Sequence, residues 1–138
     1  MRILIIDGMG GGIGKSVIEC LCQKTKGHSI LGIGTNAIAT SAMLKAGAEL
    51  SATGENAIAY NCSKVDVIIG TIGIVLANSM LGEISPRIAE AVSSSVAVKI
   101  LIPTSRCSTF ITGVKDQPTA QYIEEIPHIL KKMENNSE

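Results

Sequence analysis

A glycine-rich segment follows the first apolar stretch of the chain. It reads Gly8-Met9-Gly10-Gly11-Gly12-Ile13-Gly14-Lys15-Ser16 and comes directly after an apolar run at 3–6 and Asp7. This order predicts a strand, a tight glycine turn and a helix, which together direct free backbone N–H groups and the positive end of a helix at an anion. We therefore expect a phosphate group to bind here, with N–H groups from 10–14 and positive charge from Lys15.

Polar side chains elsewhere would complete this pocket. Asp7, at the end of the first predicted strand, would bind a ligand hydroxyl or a metal, or only cap the glycine turn. Asn78 stands in an apolar segment, where its amide needs a partner from a ligand or from a backbone carbonyl. The residues that we expect to contact a ligand or cofactor are Asp7, Gly8, Gly10, Gly11, Gly12, Ile13, Gly14, Lys15, Thr35, Asn36, Glu55, Asn56 and Asn78. No catalytic residue is assigned, and no metal site is predicted.

The segment 11–16 resembles the end of the phosphate-binding loop of nucleoside triphosphatases, in which lysine contacts phosphate and serine binds magnesium. Met9 stands where that motif requires its first glycine. No later predicted strand ends in the aspartate that completes the magnesium site, because Asp66 lies near the start of its strand. A working triphosphatase is therefore not expected.

The spacing of Gly8, Gly12 and Gly14 resembles the glycine pattern of short-chain dehydrogenases. Tyr60 and Lys64 also have the Tyr-x-x-x-Lys spacing of the pair that transfers protons in those enzymes. However, this pair comes early in the chain and directly before a predicted strand, and no acidic residue follows the second strand to bind a ribose. An NAD(P)-dependent oxidoreductase is therefore kept as an alternative.

Composition excludes several classes of partner. Twelve basic residues balance twelve acidic ones, so no overall positive charge attracts nucleic acid. Only two tyrosines and one phenylalanine are present, which disfavours base stacking. The uncharged run 67–82 is too short and too polar in places to span a membrane. The four cysteines form no Cys-x-x-Cys pair, which is typical of free thiols in a reducing cytoplasm.

Arg106 and Cys107 follow the predicted strand at 98–102. The guanidinium of Arg106 is placed to meet a phosphate or carboxylate, although a solvated loop arginine fits the sequence as well. The Cys107 thiol would be reactive only beside a base, and the sequence ties neither His28 nor His128 to it.

The order of elements predicts an α/β protein, a single-domain Rossmann-like three-layer α/β/α fold over 1–134 with a frayed tail at 135–138. The strands are expected at 2–7, 29–32, 49–53, 65–70, 98–102 and, at an edge, 109–114; the helices are expected at 15–25, 37–46, 54–61, 74–81, 86–94 and 119–134, the last interrupted at Pro127. In a mainly parallel sheet, the loops 7–14, 32–36, 70–73 and 103–108 would meet at the carboxyl edge, where ligands bind.

Four segments resemble a family of small bacterial proteins of unknown function. They read IDGMGGGIGK at 6–15, GTNAIATSAM at 34–43, TGENAI at 53–58 and ANSMLGE at 77–83. The resemblance covers nearly the whole chain and implies a stand-alone Rossmann-like domain in the bacterial cytoplasm. It implies no activity.

The leading functional prediction is a cytoplasmic protein that binds a nucleotide or another phosphorylated small molecule through the glycine-rich loop 8–15. NAD(P) or another nucleotide is the candidate cofactor, and neither nucleic acid nor a membrane is an expected partner. The alternatives are the oxidoreductase above and a non-catalytic interaction subunit, whose apolar 72–82 segment would form a homodimer or partner surface.

Overall fold

The computed structural model describes residues 1–105 and 108–137, and within them strands alternate with helices. The strands are β1 Arg2–Asp7, β2 Ser29–Gly34, β3 Leu50–Thr53, β4 Val67–Thr71 and β5 Val98–Ile102. The α-helices are α1 Gly12–Lys24, α2 Ala37–Ala46, α3 Glu55–Asn61, α4 Pro86–Ser94 and α5 Thr119–Asn136, and a short 3-10 helix spans Ile72–Val75. Arg106 and Cys107 lie outside the described residues.

All five strands are parallel, in the order β3-β2-β1-β4-β5. The central strand β1 is covered on both faces, because Ile5 packs among residues of α1, α2 and α5 whereas Leu4 packs among residues of α3 and α4. Burial on both faces explains why β1 and β4 contain consecutive apolar residues instead of alternating apolar and polar ones. The predicted three-layer Rossmann-like fold is confirmed.

Local capping defines two of the helices at the predicted residues. The Asn36 side chain accepts a hydrogen bond from the Ala39 N–H at the start of α2, at 2.9 Å. Ser85 Oγ accepts one from the Ile88 N–H at the start of α4, where Pro86 occupies the first helical position. Asparagine and serine side chains satisfy N–H groups that a helix leaves unpaired at its start.

The predicted helix at 74–81 is wrong. After the 3-10 helix the chain passes through turns, with positive φ at Asn78, Met80 and Leu81. The Ser79 hydroxyl donates to the Gly73 carbonyl, so a local side-chain bond replaces helical pairing. Leu81 is 96% exposed, so the apolar residues of this segment form no buried helical stripe.

Two further predictions near the end of the chain are wrong. Residues 109–114 form a coil and a turn instead of an edge strand, with positive φ at Gly113 and with Phe110 fully exposed. Helix α5 continues through Pro127, because Ile126 and Leu130 on either side of it stay buried against the same core. Among the described residues, no helix has the length and apolar character needed to cross a membrane.

Candidate functional site

The polar loops meet at the carboxyl edge of the sheet, where the chain order reverses between β1 and β4. Crevices at such reversal points are the usual ligand sites of open α/β sheets. Here a cavity of about 560 Å³ is lined by all of 7–13 together with Thr71, Met80, Leu81 and Thr104. The glycine-rich loop therefore forms one wall of a cavity, as the sequence predicts.

The carboxylate of Asp7 caps the glycine-rich loop by accepting hydrogen bonds from its backbone. One oxygen accepts from the Gly8 N–H at 2.8 Å, and the other accepts from the Gly14 N–H at 2.6 Å. Burial raises the pKa of Asp7, although the two N–H groups act in the opposite direction. Of the roles that the sequence leaves open for Asp7, the hydrogen bonds show the capping role.

Three backbone N–H groups of the same loop have no hydrogen-bond acceptor among the described residues. They belong to Gly10, Gly12 and Ile13, which line the cavity at the start of α1. Gly11 precedes the helix with φ of 73°, in the left-handed region that glycine adopts readily. This turn presents the free N–H groups and the positive helix end to the cavity.

Thr71 is a site residue that the sequence analysis missed. It ends β4 and is only 3% exposed, and its Oγ1 has no hydrogen-bond partner within the described part of the chain. Buried hydroxyl groups almost always have a partner, so this hydroxyl is available to a ligand or a water in the cavity. The available signal was its position at a strand end, directly after Gly70.

Glu83 is the second residue that the sequence analysis missed. Its carboxylate accepts hydrogen bonds from Thr35 Oγ1 at 2.7 Å, from Asn36 Nδ2 at 2.6 Å and from the Met9 N–H at 3.1 Å. These bonds, above all the one from Thr35, lower the pKa of Glu83. The loop after β4 is thereby joined to the glycine-rich loop and to the end of β2.

The lowered pKa of Glu83 predicts a specific acid response. A carboxylate whose pKa falls on folding stabilises the protein at pH values above its ordinary pKa of 4.5. This stabilisation is lost as the pH falls through the lower pKa of the folded state. The free energy of unfolding of Glu83→Gln should therefore lie below that of the unmodified protein at neutral pH and converge with it in acid. Urea titrations across this range measure the difference, and Glu90→Gln, at an exposed position in α4, is the control.

Seven of the predicted site residues do not line this cavity. Three of them, Gly14, Thr35 and Asn36, bond to Asp7 or Glu83 beside it. The other four are Lys15, Glu55, Asn56 and Asn78. Lys15 faces Glu19 at 4.0 Å and borders a neighbouring cleft between α1 and α2. Glu55 and Asn56 contact Arg87 at the start of α4, at 3.5 and 3.2 Å. The predicted ligand contacts of these residues remain predictions.

Asn78, the last of the four, lies in a turn of the loop after β4, where its backbone N–H donates to the Ile84 carbonyl at 2.6 Å. Tyr60 and Lys64 are also distant from the cavity. The Lys64 ammonium lies 4.4 Å from the Tyr60 ring centre, before the amino end of β4. The structure therefore places this pair at the sheet edge opposite the glycine-rich loop.

Residues 2–135 match the family model described as "Domain of unknown function (DUF3842)". The chain belongs to this family. No curated protein sequence matches the DUF3842 protein.

Among solved structures the DUF3842 protein is similar to AibC, with a TM-score of 0.52 and 14% identity over 94% of this chain, and it spans 38% of the AibC chain. It is also similar to a dodecameric FMN-dependent UbiX-like decarboxylase from Escherichia coli O157:H7, with a TM-score of 0.47 and 16% identity over 96% of this chain and 76% of that one. The likeness to AibC shows the fold alone.

Proposed function

We propose that this DUF3842 protein binds a nucleotide or another phosphorylated small molecule through the glycine-rich loop 8–15. The observation that carries the proposal is the convergence of the orphaned Thr71 hydroxyl with the three free N–H groups of Gly10, Gly12 and Ile13 on one cavity. Phosphate offers several strong acceptor oxygens, which would satisfy these donors together. The free thiols of Cys20, Cys22 and Cys62 fit a reducing compartment, and we place this activity in the cytoplasm.

Backbone N–H groups and the helix end supply the attraction for the anion in this proposal. The first turn of α1 contains no acidic residue, and the Asp7 carboxylate accepts from the Gly8 and Gly14 N–H groups, not from the three free ones. The cavity volume falls within the range of about 300–1,000 Å³ that is typical of small-molecule sites. Lys15 would add only long-range charge, since its ammonium faces Glu19.

The variant Gly12→Asp tests the proposal. A Cβ at Gly12 would meet no atom within 4 Å, so a side chain fits there, and a carboxylate at this position also favours the start of a helix. The same carboxylate would repel phosphate, and we expect about 100-fold weaker binding of nucleoside phosphates or inorganic phosphate, measured by isothermal titration. The control Gly12→Ala should bind within about threefold of the unmodified protein, because it adds no charge. Equal affinity in Gly12→Asp would contradict the proposal.

Thr71→Val is the second variant in this titration. Removing a buried hydroxyl that has no partner should leave the free energy of unfolding unchanged or raise it by about 1 kcal/mol, whereas losing a ligand contact should weaken binding about tenfold. Thr53→Val is the matched control, because Thr53 ends the edge strand β3, pairs with Thr40 of α2 and does not line the cavity. A purely structural Thr71 would lose stability and keep its affinity, which would count against the proposal.

A further inference from the structure

A ligand phosphate at the glycine-rich loop leaves two directions for the rest of the molecule. One leads towards the end of β2, where Rossmann proteins place the adenosine ribose of a dinucleotide. The other leads over the ends of β4 and β5. The side chains around the loop differ sharply between these two directions.

Side chains of the protein occupy the space between the glycine-rich loop and the end of β2. Thr35 and Asn36, which follow β2, are both hydrogen-bonded to the Glu83 carboxylate, and neither lines the cavity. Met80 closes the same side, because a Cβ at Gly8 would lie only 2.9 Å from its sulfur and 2.8 Å from Thr35 Oγ1. A ribose beside β2 would have to displace these groups.

The direction over β4 and β5 is open and mixed in character. Thr71 and Thr104 line it on the sheet side, and Ile13 and Leu81 supply apolar surface. Leu81 is held almost fully exposed on a turn with positive φ, beside the cavity. This arrangement suits a phosphate joined to one flat or apolar group, such as a single base or a flavin ring.

We infer that the site selects phosphate monoesters of mononucleotide size over dinucleotides, and that Glu83 determines this selectivity. The inference rests on the proposed function and adds its substrate class. Glu83 acts by occupying the ribose position and by adding negative charge where the second half of a dinucleotide would pass.

Isothermal titration of the full chain with AMP, FMN, NAD⁺ and inorganic phosphate tests the inference. In the unmodified protein, the tighter of AMP and FMN should bind at least about tenfold more tightly than NAD⁺. In Glu83→Ala, NAD⁺ affinity should rise by more than mononucleotide affinity, so that the ratio falls below about threefold. Thr35→Val removes only one donor to Glu83, so it should lower the ratio of mononucleotide to NAD⁺ affinity by less than Glu83→Ala does. If Glu83→Ala does not fold, the ratio in Thr35→Val tests the inference instead. Glu90→Ala, on the exposed side of α4, should leave the ratio unchanged.

The outcomes separate the two proposals. NAD⁺ binding as tightly as the mononucleotides in the unmodified protein would overturn the selectivity and leave phosphate binding intact. An unchanged ratio in folded Glu83→Ala and in Thr35→Val would also overturn the role of Glu83 in selectivity and leave phosphate binding intact. Failure of inorganic phosphate and of every nucleotide to bind would overturn the proposed function, and the selectivity with it.

Discussion

Replacing Gly11 by alanine should lower the free energy of unfolding by about 2–4 kcal/mol, the largest loss expected from adding one methyl group to the glycine-rich loop. Gly11 has φ of 73°, a conformation that strains any residue with a Cβ. The new Cβ would also lie 2.7 Å from the Ala39 Cα and 3.0 Å from the Ala39 carbonyl oxygen in α2. Because backbone atoms cannot rotate aside, α1 and α2 would have to separate.

Urea denaturation measures this loss, and Gly10→Ala is the matched control one residue away. A Cβ at Gly10 meets nothing within 4 Å, and its φ lies outside the left-handed region. The control should therefore change stability by less than about 1 kcal/mol. Similar losses in the two variants would show that the packing of Gly11 against α2 is not what constrains the loop.

Replacing Asp7 by asparagine should lower the free energy of unfolding by about 2 kcal/mol, because an amide offers one acceptor oxygen where the carboxylate offers two. Either the Gly8 or the Gly14 N–H would then be buried opposite an NH₂ group. Part of the loss is offset, since the raised pKa of Asp7 shows that burying its charge is itself unfavourable. The glycine-rich loop would loosen, and phosphate affinity should fall with stability.

Asp66→Asn is the comparison for this prediction. The Asp66 carboxylate accepts from the Arg2 N–H at 2.6 Å, but at the exposed amino edge of the sheet. Water replaces a lost partner there, so the variant should lose less than about 1 kcal/mol in the same urea titration. Equal losses at Asp7 and Asp66 would contradict the importance of burial at the loop.

The fold was predictable wherever the signal is local. Apolar runs such as 3–6 specify buried strands, and Asn36 and Ser85 cap helices that begin at the predicted residues. The prediction failed where apolar composition resembles a helix but tertiary contacts decide the conformation. At 74–81 the Ser79 hydroxyl bonds the Gly73 carbonyl, and Ile74 is buried while Leu81 is exposed.

The candidate site was predictable in part for the same reason. The glycine-rich loop is contiguous, so its position after β1 is enough to place it at the sheet edge. Glu83 meets Asn36 across 47 residues of sequence, and no local pattern connects them. Thr71 is conspicuous only because its buried hydroxyl has no partner within the described residues, and sequence does not show burial of one side chain against a cavity.

The scarcity of aromatic residues has a practical consequence for spectroscopy. The chain contains no tryptophan, and none of the described residues that line the cavity is aromatic. The protein therefore absorbs weakly in the near ultraviolet, with only two tyrosines to contribute appreciably. A purine or flavin retained through purification would dominate the absorption spectrum. An occupant of this kind could therefore be detected by absorbance without any label.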